Sequence, residues 1–222
     1  MSDFFSRFAA LPPYGVGALI VLVLYAIQSE VRFGSRARSM HAGQADRGST
    51  LALSLASVVP VLGFALAMRA NAPGSKLPDW FRHAVVSGLP AVAWLGVALG
   101  FAGLALRLWA VLRLRDRYTR TLLMHQEHDI ERGGPYGWVR HPGYLGSLLC
   151  LNGAALASGN YIVLIASLAV TCAAYAYRIS VEDEMLVDSF GAPYADYRNE
   201  VRALLPLRRS ATPRVPRVPR GG

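Results

Sequence analysis

The residues able to do chemistry gather in two stretches. The first, residues 134–146, reads Gly-Pro-Tyr-Gly-Trp-Val-Arg-His-Pro-Gly-Tyr-Leu-Gly and lies in the longest polar segment between apolar runs. Its glycines and prolines predict a bent backbone that other groups can approach closely, not a regular helix. Pro142 disfavours the helical conformation at His141, so Arg140 and His141 are expected on a loop immediately before a helix, with Pro142 in its first turn. An Arg and a His beside a helix N-terminus form a natural site for an anionic group. The second stretch supplies Glu182, Asp183 and Glu184, followed by Tyr194 and Tyr197. Arg140 and Glu182 are the expected partners across the two stretches, either as an ion pair or as complementary contacts to a ligand.

The elements that must hold these groups are apolar. The chain has 222 residues, of which 53% are hydrophobic and 17% charged, with the apolar residues in long blocks and a mean hydropathy of +0.31. That composition predicts an all-α polytopic membrane protein of one domain over residues 1–206, with no sizeable soluble domain. About five transmembrane helices are expected, at 13–31, 50–68, 89–106, 144–158 and 161–178. The first eleven residues form a short amphipathic lead. Pro60 predicts a kink or local break in the second span. Gly96, Gly100 and Gly103 place small residues near one face of the third, suited to close packing in lipid within or between chains. Arg107 and the arginines after it mark the exit of that span into the headgroup region.

Gly159-Asn160 is a turn signal, so the last two spans are expected as a tight helical hairpin, its first arm short for the membrane. An acidic amphipathic helix follows, ending near Phe190 with Gly191 as its cap, and Tyr194, Tyr197 and Val201 continue at helical spacing. Residues 207–222 form a basic Pro/Arg tail that is expected to be disordered. Cys150 and Cys172 fall in apolar runs without metal-ligand spacing, and no metal site is expected.

The formal charge is +9, and all but one of the 23 basic residues are arginine. In this setting the excess reports membrane orientation and anionic lipid headgroups, and nucleic acid is not an expected partner. With five spans, every lysine and arginine except Arg7, Arg69, Lys76 and Arg82 falls on one side. The positive-inside rule puts that side, and with it both chemistry-bearing stretches, in the cytosol and the N-terminus outside. No dinucleotide fingerprint, Walker loop, zinc-protease helix motif or nucleophile elbow is present, so a nucleotide-like cofactor would need another kind of cradle.

The ordered set Tyr118-Thr-Arg-Thr, His128-Asp-Ile, Gly134-Pro-Tyr, Arg140-His-Pro-x-Tyr-x-Gly146, an apolar hairpin, Arg178-Ile-x-x-Glu-Asp, Phe190-Gly-x-x-Tyr-x-x-Tyr197 and Pro206 resembles the isoprenylcysteine carboxyl methyltransferase family. The resemblance covers roughly residues 105–206, and the first two spans carry no signature. It implies an integral-membrane methyltransferase using S-adenosyl-L-methionine as cofactor. The cofactor would lie among His128, Gly134, Tyr136, Val139, Arg140, His141, Tyr144, Glu182 and Asp183, with Arg140 and Glu182 as the catalytic pair. Asp183 departs from the second Glu common in the family, and a shorter carboxylate alters reach. The implied acceptor is a lipophilic small molecule, a prenylcysteine carboxylate first. A phospholipid amine is the alternative, followed by a sterol-reductase-like or non-catalytic relative. The acceptor atom, the carboxylate that Arg140 holds and the oligomeric state stay open.

Overall fold

A computed structural model describes residues 12–31, 46–70, 74–85, 89–114 and 130–206. Every named element among them is helical: α1 (Pro13–Val31), α2 (Ser49–Ala70), the single turn α3 (Asp79–Arg82), α4 (Leu89–Leu114), a 3-10 turn (Gly134–Gly137), α5 (Pro142–Ala157), α6 (Tyr161–Phe190) and α7 (Ala192–Glu200). Extended pairing among these residues amounts to one bridge, Val85 to Asn160. Residues 1–11, His128 and the basic tail lie outside the described residues.

Helices α2, α4 (from Pro90) and α6 are long and apolar enough to cross a membrane, and α1 contains a shorter apolar stretch, Pro13–Gln28. Large apolar side chains point outward all round the bundle; Leu51 and Ile165 are each 62% exposed. In water such a surface would drive aggregation, whereas lipid is its natural solvent. The protein is an integral membrane protein built from packed helices. α5, with 16 residues, extends only about 24 Å at ~1.5 Å per residue, short of a ~30 Å hydrocarbon core.

The long helices run alternately in opposite directions. Gly15 near the start of α1 abuts Met68 near the end of α2, and Gly17 and Gly100 meet Val97 and Val21, which sets α1 parallel to α4. α4 and α5 approach most closely. A Cβ on Gly96 would lie 2.5 Å from the Gly153 carbonyl oxygen, and one on Gly103 2.5 Å from that of Gly146. The contacts are reciprocal, since Cβ atoms on Gly153 and Gly146 would strike the carbonyls of Gly96 and Gly103. The glycine face thus packs within the chain, backbone against backbone, as small-residue stripes do in lipid. The core beside it joins Ala18, Leu22, Phe64, Val97, Leu151, Ala154 and Tyr175.

The hairpin turn forms as its sequence predicts. Gly159 takes φ 70°, and Asn160 caps α6 by accepting from the Ile162 and Val163 N–H groups at 3.0 and 3.2 Å. Its amide also donates to the Phe81 carbonyl at 2.8 Å, so the loop after α2 is tied to the hairpin tip. A buried ladder holds the two arms together: Asn152 donates to Thr171 Oγ1 at 3.0 Å and accepts from Ser167 at 2.8 Å.

α2 continues through Pro60, which is buried in the bundle, so of the kink or local break expected there the break does not form. Two further expectations need correction. The acidic segment is no separate helix: α6 carries on from the hairpin arm for 30 residues to Phe190, because no helix breaker intervenes after Arg178. Gly191, at φ 62°, then ends it, and its N–H bonds the Val187 carbonyl at 2.8 Å. Arg107 does not mark the exit of α4, which runs on to Leu114. It is buried at the α1–α4–α5 contact, donating to Ser147 Oγ at 2.7 Å and sitting 5.2 Å from the Tyr25 ring centroid.

Candidate active site

The end of the bundle away from the hairpin turn collects the polar groups. Gly134 opens the 3-10 turn at φ 56°, a conformation that side chains resist. Tyr136 is buried and donates to the Ala110 carbonyl at 3.3 Å, which fastens the turn to α4. Val139 is buried, and its N–H returns to the Pro135 carbonyl at 3.1 Å. His141 is the N-cap of α5 and Pro142 its first residue, the loop-then-helix arrangement that Pro142 dictates. A pairing that sequence did not suggest fixes this loop: the Arg140 and His141 N–H groups donate to the carbonyls of Arg202 and Ala203 at 2.9 and 3.0 Å.

Asp183 is the hub. It is 3% exposed and takes Arg140 NH2 on Oδ2 at 2.6 Å. His141 Nε2 and the Tyr194 hydroxyl meet Oδ1 at 3.0 and 2.5 Å, and Arg198 Nε stands 3.8 Å from Oδ2. Arg140 NH1 donates to the Val201 carbonyl and to that of Arg198 at 3.0 Å. The expected Arg140–Glu182 pair is therefore replaced by Arg140–Asp183. Adjacent helical residues point about 100° apart, so only one of the two carboxylates can face Arg140.

Glu182 faces the other way. It accepts from the Tyr144 hydroxyl at 2.5 Å, and His141 Nδ1 lies 3.8 Å from the same oxygen. The imidazole stands between the two carboxylates and stacks on the Tyr144 ring, with centroids 5.4 Å apart and planes 8° from parallel. A carboxylate can only accept, so the Nε2 atom facing Asp183 carries the proton. Below Tyr144 lies Arg178, whose Nε donates to the Tyr144 oxygen at 3.0 Å.

Around this knot, burial pushes the Tyr194 hydroxyl well above its ordinary value, and the neighbouring Asp183 charge adds to the effect. Burial also pushes Tyr197 up to about 12, against the pull of Arg140 and Arg132. Both phenols stay protonated donors, and Tyr197 gives its proton to the Tyr136 carbonyl at 2.6 Å, joining α7 to the 3-10 turn.

The structure thus brings together Tyr136, Val139, Arg140, His141, Tyr144, Glu182 and Asp183, with Gly134 at the edge of the group; His128 lies outside the described residues. Sequence reasoning missed Asp46, Arg198 and the 201–203 backbone. Next to Arg140 an open cleft of about 410 Å³ is lined by Val187, Ala195, Arg198 and Asn199. Arg140 Nε is buried without a hydrogen-bond partner. An orphaned guanidinium donor is costly unless an acceptor arrives, so the residues present suit a ligand bearing a carboxylate.

Fold and site together define an all-helical integral membrane protein with a buried Arg–His–carboxylate knot at one end of its bundle. Residues 95–188 match the model of the isoprenylcysteine carboxyl methyltransferase (ICMT) family. Through this segment the chain is similar to that family. It is 31% identical over 115 residues to a protein-S-isoprenylcysteine O-methyltransferase of Saccharomyces cerevisiae, covering 45% of this chain and 48% of that one. A Schizosaccharomyces pombe protein of the same name is 30% identical over 114 residues, 50% of this chain and 48% of its own. A methanethiol S-methyltransferase of Bradyrhizobium diazoefficiens is 35% identical over 75 residues, 34% of this chain and 25% of its own. The chain spans about half the length of the yeast relatives it matches. The solved structure of a eukaryotic intramembrane Ras methyltransferase, ICMT, superposes with a TM-score of 0.57 at 20% identity, over 90% of this chain and 70% of that one, a likeness of fold.

Proposed function

We propose that the protein is a membrane methyltransferase that uses S-adenosyl-L-methionine to methylate the carboxylate of a prenylcysteine-like lipophilic acceptor. The observation that carries this reading is the convergence of Arg140, His141, Tyr144, Glu182 and Asp183, from segments some forty residues apart, at the end of a lipid-facing bundle. The cofactor, when bound, supplies a methyl group activated on a sulfonium. Gly134, Tyr136, Val139, Arg140, His141, Tyr144, Glu182 and Asp183 are the described residues that would hold it, with His128 joining them from the preceding segment.

An ionised carboxylate is already a nucleophile, so the reaction needs no general base. The chain's work is alignment and exclusion of water. Arg140 is pinned by Asp183 and two carbonyls and keeps Nε as a donor for an anionic group, which serves orientation. His141, fixed by Asp183, presents a rigid ring face, and Glu182 offers an acceptor already oriented by Tyr144. The acceptor's hydrocarbon part would reach the site laterally between helices, and anionic lipid would gather at the arginine-rich end. The reading includes five spans, the knot on the cytosolic face and the N-terminus outside. The fold supports it by placing Asp46, Arg140, Arg178 and Arg198 at one end and the 74–85 loop at the other.

The test is methyl transfer from labelled S-adenosyl-L-methionine by the detergent-purified protein to an N-acetyl-S-prenylcysteine. A phosphatidylethanolamine and a small thiol serve as rival acceptors. Base-labile methyl ester on the prenylcysteine is expected, and Glu182→Gln should remove it. Label on the amine or the thiol alone would overturn the carboxylate assignment.

A further inference from the structure

Arg178 is 1% exposed and is the largest of the fully buried side chains among the described residues. It lies four residues before Glu182 on the same face of α6. Its NH1 donates to Asp46, to Ser49 Oγ at 2.8 Å and to Thr50 Oγ1 at 3.0 Å, while Nε donates to the Tyr144 oxygen at 3.0 Å. Asp46 in turn takes the Thr50 N–H at 3.1 Å, so it caps α2 while neutralising Arg178.

A guanidinium has donors only. The Tyr144 oxygen must therefore accept from Arg178, and its single proton must point elsewhere. The acceptor it meets is Glu182 Oε2 at 2.5 Å. The chain Asp46–Arg178–Tyr144–Glu182 thus has one polarity from end to end, set by the two carboxylates at its ends and the guanidinium between them.

We infer that Arg178 is a positioning residue for methyl transfer: anchored by Asp46, it fixes the direction of the Tyr144 hydroxyl and thereby the orientation of the Glu182 carboxylate. The inference rests on Glu182 belonging to the proposed site. It also makes the segment 46–50, which carries no motif, part of the machinery's support, and it explains why a cation is buried at the join of α2, α5 and α6.

Arg178→Lys and Tyr144→Phe, singly and together, separate this role from simple packing. Lysine keeps the charge opposite Asp46 but cannot also donate to Tyr144 along a fixed line. Arg178→Lys is expected to lower kcat about 10- to 100-fold, with KM for both substrates within about threefold of wild type. Tyr144→Phe should lower kcat by a similar factor, and the double variant should be no slower than Tyr144→Phe alone, since the relay is already cut. Wild-type kcat in Arg178→Lys, or a double variant whose loss is the product of the two singles, overturns the inference.

The Tm shifts of the same three proteins in detergent read the relay without any reaction. They should be non-additive, and additive shifts would overturn it. Absence of methyl transfer by the wild type refutes the proposed function and leaves that Tm cycle standing as the test of the relay.

Discussion

Replacing Asp183 tests the reading of the site most severely. Its carboxylate is buried and meets Arg140 at 2.6 Å, His141 at 3.0 Å and Tyr194 at 2.5 Å. Asp183→Ala leaves the buried Arg140 guanidinium without a counter-charge, a change that typically costs about 3–5 kcal/mol. The two carbonyls on Arg140 NH1 hold the side chain in place, so it cannot swing to solvent to escape that cost. At about 2–4 °C per kcal/mol for a chain of this length, Tm should fall by roughly 6–20 °C. Glu182→Gln makes the comparison informative. Its side chain is 22% exposed and its partner is a neutral phenol, so about 1.5–3 kcal/mol for a hydrogen bond to a charged group is an upper bound. The assay is thermal unfolding in one detergent, followed by tryptophan fluorescence, with methyl transfer measured on the same samples. Asp183→Ala should lose both stability and activity, whereas Glu182→Gln should lose activity with a much smaller Tm shift. An Asp183→Ala protein melting within about 2 °C of wild type would refute the assignment of Asp183 as the hub.

Three further outcomes follow from the fold. Gly103→Ala or Gly146→Ala inserts a methyl group within 2.7 Å of the facing carbonyl, and the overpacking should cost about 1–3 kcal/mol, read as a lower Tm. Asn160→Ala removes the α6 cap and the tie to Phe81; a loss of about 1–2 kcal/mol is expected with site chemistry unchanged, measured by Tm and acceptor KM. Burial opposes ionisation of Asp46, but the Thr50 hydrogen bonds, the Arg178 charge and Ser49 outweigh it, so its pKa lies below the ordinary 3.8. A depressed carboxylate contributes its full stability above that value and loses it as pH falls further, so Asp46→Asn should flatten the decline of Tm below about pH 4.

Much of the framework was legible because it depends on local backbone rules. Pro142 could only begin a helix, Gly159-Asn160 could only turn, and Gly191 could only stop α6. What escaped depended on helix phase and on contacts distant in sequence. Arg107 was assigned to the membrane interface because apolar composition falters there, yet composition does not end a helix. Its spacing held the missed signal: Gly96, Gly100, Gly103 and Arg107 recur at helical intervals, so the face that packs on α5 through glycine carries the arginine inward. Asp46 escaped for a different reason. Its partner Arg178 lies 132 residues away, and nothing in the first two spans marks a single acidic residue before a helix as more than a cap.

The adjacent carboxylates show most clearly what phase decides. Read as letters, Glu182-Asp183 is one acidic pair with two interchangeable claims on Arg140. On α6 the two residues diverge by about 100°, and the rotation of α6 is set far from them by Gly63 against Val163 and by Asn152 against Thr171. That rotation sends the shorter carboxylate to Arg140, which main-chain carbonyls already hold close, and the longer one to Tyr144. A chain in which residue 182 is Asp and 183 is Glu would keep its composition and charge. It would nevertheless crowd the Arg140 pocket by one methylene and leave the Tyr144 hydroxyl short of its acceptor. The departure at residue 183 is thus matched to the distance that Asp183 spans.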